Sequence, residues 1–542
     1  MSVASSHSSR VMSMAGGTLV SRISGFVRVL VLAWVLGFTP IADAFNLSNT
    51  VPNMLFDLVL GGIATATFIP VFVERLALDG ERRAWKSISS VITGALIVLV
   101  GASVIAWFLA PYIIDGFTFI QRTSTAHESV AYVLHQRLVA AQQRAVATDL
   151  LRFFVPQIFF YGVIGIATAL LNIRRRFGIA TWVPVANNLV AIAILIWFHL
   201  VDPSPVLADL AGSRDLLWLG LGTTAGVAIQ FLCLVPSLMR SDLWRLSFRL
   251  DLADSAMKAI GRLGSWTLLV VLTNQLSLYV VLAFAFGIGG SGPVSDYTYG
   301  WAFMQMPYAV VVVSVLGALT PQLAGFATDE DYVGLTERLR FALRQSLVII
   351  IPCTLVIIVL AQPLVGILVH HVDARHSWPV GTVLAVLAAG LPGFTIFQLC
   401  VRGLQSMQRA RQVFLLYLLD NALTIALCVV LGRHSIVGLM AGISLGYSVA
   451  AVASLIVLAR YQVNIITGVW SVHVRRSLVA SLVASVLVAV AYDVPTWTHG
   501  LGLLTRFAGA LIVGVVAYTL VVVALRRLVR RAYAKDARLE RF

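Results

Sequence analysis

The sequence is poor in charge, since only 12% of its 542 residues are Asp, Glu, Lys or Arg. Soluble domains carry about 25%, so this composition excludes a cytosolic enzyme and a disordered chain. Cysteine is also scarce, and its four residues each lie within an apolar run: Cys233, Cys353, Cys400 and Cys428. No pair of them has the spacing of a metal or redox motif, and we interpret them as small buried hydrophobes.

Apolar residues take the place of the missing charge. They make up 59% of the chain, and the mean hydropathy is +0.91. Apolar stretches of about 20 residues predict about 14 transmembrane helices, the second at 50–73. The expected fold class is therefore an all-α polytopic membrane protein. The long connection 114–152 contains a predicted helix over 129–149, either lying at the membrane interface or serving as a plain connector.

The positive charge is distributed unevenly along the chain. The formal net charge is +15, and 29 of the 39 Lys and Arg residues lie in the termini and in connections on one side of the membrane. This bias predicts that both termini are cytoplasmic. The basic composition is then a topology signal and does not predict a nucleic-acid partner. Since no phosphate-binding loop, nucleophile elbow or zinc motif is present, neither an enzyme nor a bound cofactor is predicted.

The order of the apolar runs predicts four regions. They are an N-terminal lobe of six helices (1–240), a cytoplasmic linker (241–263), a second six-helix lobe (264–460), and two extra helices with a basic tail (461–542). A weak internal repeat supports this division: Asp43 and Pro52 follow a glycine, as Asp296 and Pro307 follow a glycine-rich turn. Repeats of this kind predict two lobes in parallel pseudo-repeat around a central cavity.

Polar side chains within the first two predicted helices indicate a binding site. An ionisable residue inside the bilayer costs about 2.5–3.5 kcal/mol, so each is a functional candidate. Arg22 and Arg28 lie on the first helix, and a polar stripe at spacings of three and four follows the second: Asn46, Asn49, Asn53 and Asp57. Guanidinium groups beside amides favour an anionic headgroup. The alternatives are a structural Arg28–Asp57 ion pair and an Arg22 that extends to the membrane surface.

A second polar group lies in the C-terminal half. Asp420 is predicted near the middle of a helix, with Asn421 beside it and Thr424 one turn later. Such oxygens can ligate Na⁺, and the carboxylate can carry a proton or serve only a structural hydrogen bond. No metal site is predicted, because the adjacent His370 and His371 have poor shared-ligand geometry and are interpreted as a solvated loop.

Several short segments carry a family resemblance: SRISGFVR at 21–28, ADAF at 42–45, PN at 52–53, FIP at 68–70, LNIRRRF at 171–177 and NN at 187–188. Together they resemble the MurJ/MviN family, the lipid II flippases of the multidrug/oligosaccharidyl-lipid/polysaccharide exporter superfamily. Where the family commonly has two adjacent basic residues, this chain has Phe56 and Asp57. At another position where the family often has a basic residue, this chain has Ala302. These departures are similar to actinobacterial-type members.

The resemblance implies a mechanism and a location. An undecaprenyl-pyrophosphate-linked peptidoglycan precursor would enter a cationic central cavity from the cytoplasmic side of the bacterial membrane, and rocking lobes would release it outside. Arg22, Arg28 and Asp43 match family positions for headgroup binding or gating. The remaining substrate-binding candidates are chosen because they lie on the polar stripe of the second helix: Asn49, Asn53 and Asp57.

Coupling to Na⁺, H⁺ or the membrane potential is expected, with Asp420, Asn421 and Thr424 as candidates. The expected partners are the precursor, membrane lipids and other cell-wall synthesis proteins. Two alternatives stay open. One is a drug/cation antiporter of the same superfamily, with Asp57 and Asp420 as cavity carboxylates. The other is a non-transporting scaffold for cell-wall enzymes.

Overall fold

The computed structural model describes most of the chain. The described residues are 2–58, 81–120, 129–173, 177–240, 247–251, 255–288, 292–368, 374–433, 435–493 and 502–539. Within them every regular element is a helix, and thirteen helices are long and apolar enough to cross a membrane. The expected all-α polytopic membrane fold is confirmed. Much of the predicted second span and linker, and the motif residues 68–70, 174–176 and 370–371, lie outside the described residues.

The chain divides into two compact units, Met1–Tyr299 and Gly300–Phe542. The helices that begin in the first unit are α1 (Ser2–Leu36), α2 (Pro40–Phe56), α3 (Glu81–Phe117), α4 (Val130–Phe154), α5 (Pro156–Ile173), α6 (Phe177–Val201), α7 (Leu207–Leu210), α8 (Arg214–Met239), α9 (Ser255–Ile288) and α10 (Pro293–Pro307). The division falls after the predicted linker 241–263, because α9 packs on α3 and contacts α2.

The second unit continues from α10 through a single π-helical turn, Tyr308–Val312. Its helices are α11 (Val313–Thr328), α12 (Tyr332–Leu368), α13 (Ala374–Ala389), α14 (Leu391–Ser406), α15 (Ala410–Leu431), α16 (Ile436–Ala459), α17 (Ile466–Val469), α18 (Val472–Asp493) and α19 (Leu503–Leu539). The most extensive packing in this unit joins α18 to α19 and α15 to α16.

Local sequence explains the turn between α1 and α2. Gly37 adopts a φ of 62°, a left-handed conformation that glycine accepts readily, and it ends α1. Thr39 then caps α2, because its hydroxyl accepts a hydrogen bond of 3.2 Å from the Ala42 backbone N–H. Pro40 occupies the first position of α2, where its missing N–H has no intrahelical partner to lose. This turn places Asp43 in the first turn of α2.

The predicted helix over 129–149 is present as α4. Its cap is Ser129, whose hydroxyl accepts from the Tyr132 N–H, and the helix runs on to Phe154. Its C-terminal half is buried against α2, where the Ser48 hydroxyl donates to the Ala147 carbonyl at 2.7 Å. The N-terminal half presents exposed side chains such as Leu134. α4 is thus partly a core helix of the first unit.

Close packing of α4 on α8 depends on a glycine. A Cβ at Gly220 would lie 2.7 Å from Cδ2 of Phe153, whereas a Cβ at Gly101 would meet nothing within 4 Å. We expect Gly220→Ala to lower the free energy of unfolding by about 1–3 kcal/mol through overpacking. Gly101→Ala should leave it unchanged or raise it, because alanine favours helix. Thermal unfolding in detergent measures both, and equal midpoints for the two variants would contradict the predicted contact.

Candidate functional site

The SRISGFVR segment packs α1 against α6. The Asn188 side-chain amide donates to the Ser24 hydroxyl at 2.9 Å and to the Ser21 carbonyl at 3.3 Å. Gly25 leaves room for that amide, since a Cβ there would stand 3.4 Å from the Asn188 nitrogen. The small and hydroxyl residues of the segment are therefore used for helix packing. Arg28 lies one turn further along the same helix.

The two arginines of α1 differ in environment. Arg22 is exposed, whereas Arg28 is half-buried and lies within electrostatic reach of the Tyr161 phenol on α5. Arg28 and Asp57 form no ion pair within 4.0 Å in the described part of the chain. The structural ion pair considered from the sequence is thus not formed in this structure, and the Arg28 guanidinium keeps its capacity to bind an anion.

The Asp57 carboxylate has a different partner. The Gln275 side-chain amide of α9 donates to it at 3.1 Å. On the preceding turn of α2, the Asn53 amide donates to the Asn49 carbonyl at 2.9 Å. Asn49, Asn53 and Asp57 are all half-buried. This end of the stripe therefore presents amide and carboxylate groups that the helices do not fully enclose.

The opposite end of the stripe is closed. The Asp43 carboxylate is only 2% exposed and accepts a 2.7 Å hydrogen bond from the Ser295 backbone N–H, in the first turn of α10. The Asn46 amide, also buried, donates to the Ser295 hydroxyl at 3.0 Å. A carboxylate at a helix N-terminus meets unsatisfied N–H groups and the positive end of the helix dipole. Asp43 therefore joins α2 to the start of α10.

A tight turn brings α10 to that position. Gly292 precedes α10 with a φ of 96°, and a Cβ there would lie 2.6 Å from the Phe38 carbonyl oxygen. Only glycine fits this close approach. The Tyr299 ring then packs edge-on against Phe38, with centroids 5.2 Å apart. Residues at the start of α2 and the start of α10 thus meet in one buried polar cluster.

The same cluster contains the second carboxylate of the internal repeat. Asp296 is 5% exposed, and its Oδ1 has no hydrogen-bond partner among the described residues. The two acids that occupy matching places in the repeat, Asp43 and Asp296, are therefore brought together. The repeat was the signal that could have identified Asp296 as a site residue.

Three other site residues were missed from the sequence: Tyr161, Gln275 and Ser295. Gln275 had a usable signal, because it follows Asn274 in an otherwise apolar helix. Tyr161 and Ser295 had none, since isolated tyrosines and serines are common in apolar helices.

In the second unit, the predicted ion-coupling residues come together on α15. Asp420, Asn421 and Thr424 are buried, and Asp420 Oδ1 has no hydrogen-bond partner among the described residues. Gly446 of α16 faces them, because a Cβ there would collide with the Thr424 hydroxyl and lie 3.7 Å from Asp420 Oδ1. The described residues contain no group of three or more His, Cys, Asp or Glu that could hold a metal ion. The oxygens present suit a monovalent cation or a proton.

Comparison with known sequences identifies related proteins. A family profile described as "Lipid II flippase MurJ" matches residues 32–508. The lipid II flippase MurJ of Burkholderia cenocepacia is 26% identical over 406 residues, which cover 73% of each chain. A probable lipid II flippase MurJ of Rhizobium meliloti is 24% identical over 427 residues, covering 77% of this chain and 74% of the relative.

Solved structures show the same fold. A structure of lipid II flippase MurJ in an inward closed conformation matches with a TM-score of 0.73 and 18% identity, covering 95% of this chain and 99% of the other. An inward-facing multidrug resistance transporter of the MATE family matches with a TM-score of 0.65 and 13% identity, covering 82% and 99%. At these identities the likeness concerns the fold alone.

The Asp43–Ser295 hydrogen bond makes a prediction about local opening. Asp43→Ala should raise the hydrogen–deuterium exchange rate of a peptide spanning 293–299 about tenfold, because the lost bond is charge-assisted. Asp43→Asn should have a smaller effect, since its amide oxygen can still accept the Ser295 N–H. Asp202→Ala, at the end of α6, is the control. Unchanged exchange in Asp43→Ala would show that the bond does not hold this end closed.

Proposed function

The chain belongs to the lipid II flippase MurJ family, and from this premise we propose that it moves the lipid-linked peptidoglycan precursor from the inner to the outer leaflet of the bacterial cytoplasmic membrane. The polar stripe of α2 is buried at one end and accessible at the other, and this asymmetry is consistent with transport by alternating access. The precursor carries a pyrophosphate, a polar glycan and a peptide, all of which need polar contacts within the bilayer.

The observation that carries the proposal is the unpaired Arg28. A half-buried guanidinium with no ion-pair partner in the described part of the chain lies on the same helix as Arg22. Guanidinium forks bind two phosphate oxygens at once and keep their charge. We assign the pyrophosphate to Arg28, with Arg22 as a first contact at the exposed end. Asn49, Asn53 and the Gln275-bound Asp57 then bind the sugar hydroxyls.

Asp43 has a separate role in this proposal. Because its carboxylate is buried and bound to the Ser295 N–H, a substrate would reach it only after this end of α2 opened. We assign Asp43 to closure of this end of the site. Opening would break the Asp43–Ser295 and Asn46–Ser295 hydrogen bonds together, so the two contacts act as one latch.

Family membership supports a transporter of a lipid-linked precursor over a drug/cation antiporter, a scaffold or an enzyme. The Lys and Arg bias supports an orientation with both termini in the cytoplasm. Membrane lipids and other cell-wall synthesis proteins remain the proposed partners.

The headgroup assignment predicts that Arg28→Ala lowers the rate of precursor translocation about 10- to 100-fold. This is the loss expected for a charge-assisted hydrogen bond worth about 1.5–3 kcal/mol. Arg28→Lys should retain part of the rate, because a point charge remains without the fork. The measurement is translocation of labelled lipid II by purified protein in proteoliposomes.

The matched control is Arg137→Ala, at an exposed arginine of α4. Size-exclusion profiles should show that every variant is folded. If folded Arg28→Ala protein translocates the precursor at the rate of the unsubstituted protein, the headgroup role of Arg28 is refuted. Equal transport of lipid II and of an undecaprenyl carrier bearing another glycan would refute specificity for the precursor, and transport of neither would favour the scaffold.

We further propose that Asp420 and Thr424 couple transport to a cation gradient. The support is geometric: Asp420 Oδ1 is buried without a hydrogen-bond partner in the described residues and faces Gly446 near the Thr424 hydroxyl. Carboxylate and hydroxyl oxygens suit Na⁺, and the carboxylate alone suits H⁺. Asn421 lies on the same turn and donates to the Tyr417 carbonyl, so its role is to brace the turn.

Coupling predicts that Asp420→Asn removes the acceleration of translocation by an imposed Na⁺ or H⁺ gradient while keeping the rate without a gradient. Thr424→Val should weaken a Na⁺ response and spare an H⁺ response, because only Na⁺ needs the hydroxyl as a ligand. Asp329→Asn, at an exposed aspartate, is the control. A full gradient response in Asp420→Asn proteoliposomes would remove Asp420 from the coupling mechanism.

A further inference from the structure

A basic cavity lies between α12, α18 and α19 in the second unit, and none of the proposed substrate or coupling residues lines it. Its volume is about 270 Å³, and the residues that line it include Arg344, Arg476 and Arg526. No acidic side chain is among the described residues of its lining. The cavity therefore gathers three permanent positive charges without a carboxylate to balance them.

The three arginines come from the same end of three apolar runs. Arg344 precedes the apolar part of α12, Arg476 lies in the second turn of α18, and Arg526 follows the apolar run of α19. Because basic residues that flank apolar runs lie at the headgroup level, the packing of these helices places the arginines around one opening at the membrane boundary.

The floor of the cavity is polar and is connected by hydrogen bonds. The Ser477 hydroxyl donates to the Val348 carbonyl at 2.8 Å and lies 3.0 Å from the Tyr518 hydroxyl. Tyr518 also lies 3.1 Å from the same carbonyl. These contacts join all three helices, so the cavity is a built feature of the fold with a fixed set of hydroxyl groups.

One guanidinium group above this floor has a buried donor that the protein does not satisfy. Arg476 Nε is buried and has no hydrogen-bond partner among the described residues. None of the three arginines forms an ion pair within 4.0 Å in the part of the chain that the structure describes. A buried charged donor without an acceptor is costly, and grouped like charges repel one another. Both costs fall when an anion with several oxygens binds.

We propose that this cavity binds the phosphate of an anionic glycerophospholipid. Arg344 and Arg476 hold the phosphate oxygens, and the Ser477 and Tyr518 hydroxyls lie below them. A lipid is favoured over a free anion because the apolar runs of α18 and α19, which adjoin the cavity arginines in the sequence, carry exposed apolar side chains that include Leu478, Leu482, Leu520 and Val523. Acyl chains attached to the phosphate would cover them. Basic pockets between transmembrane helices suit such headgroups.

The test uses the purified full-length protein in detergent, with phosphatidylglycerol as the anionic probe and phosphatidylcholine as the zwitterionic one. We expect phosphatidylglycerol to raise the unfolding midpoint saturably and phosphatidylcholine to have little effect. Arg344→Gln/Arg476→Gln should weaken apparent phosphatidylglycerol affinity about tenfold or more, as expected for lost charge-assisted hydrogen bonds. Arg526→Gln, at an exposed position, tests the same cavity with little risk to folding.

The matched control is Arg475→Gln/Arg527→Gln, which removes the exposed neighbours of two cavity arginines. Equal weakening in the control and cavity variants would indicate diffuse attraction and overturn the proposal. An equal midpoint shift from inorganic phosphate would make the cavity a free-anion site, and tighter binding of undecaprenyl pyrophosphate would assign it to the substrate. Absence of any phosphatidylglycerol effect on the parent protein would also overturn the proposal.

Discussion

The hydrogen bond from the Ser295 backbone N–H to the Asp43 carboxylate is the contact on which the candidate substrate site depends. It places a buried negative charge against the N-terminus of a helix, where N–H groups need an acceptor. Asn46 joins the same contact through the Ser295 hydroxyl. With this end of α2 closed, the polar side chains further along the helix, from Asn49 to Asp57, are half-buried.

The wider constraint is that the bilayer offers no water to polar groups. The second unit satisfies most of its buried hydroxyls with backbone carbonyls, as Ser444 does with Val386 and Ser477 with Val348. Asp420 Oδ1 and Arg476 Nε are two of the buried atoms that depart from this pattern in the described residues. The proposed cation coupling and the proposed lipid site rest on these two departures, because an unsatisfied polar atom inside a membrane protein indicates a role beyond packing.

Much of the helical architecture follows from local rules. Long apolar runs form helices because every backbone group then bonds within its own segment, and the Thr39 cap with Pro40 sets where α2 begins. Local rules did not predict which polar residues pair with one another. An Arg28–Asp57 ion pair was one alternative left open by the sequence, yet Asp57 binds Gln275, which lies 218 positions away. Helical periodicity shows which residues share a face but contains no information on which helix that face meets.

The sequence by itself determined the all-α membrane fold, the helix over 129–149 and the presence of ionisable groups where lipid was expected. These features depend on composition and on neighbours within a few turns. Tertiary structure alone decided that the Asp43 carboxylate accepts the Ser295 N–H and that Arg28 stays unpaired within the described residues. It also decided that three distant arginines share one cavity. Each of these depends on packing between helices far apart in the chain, and shape complementarity of whole helix faces selects that packing.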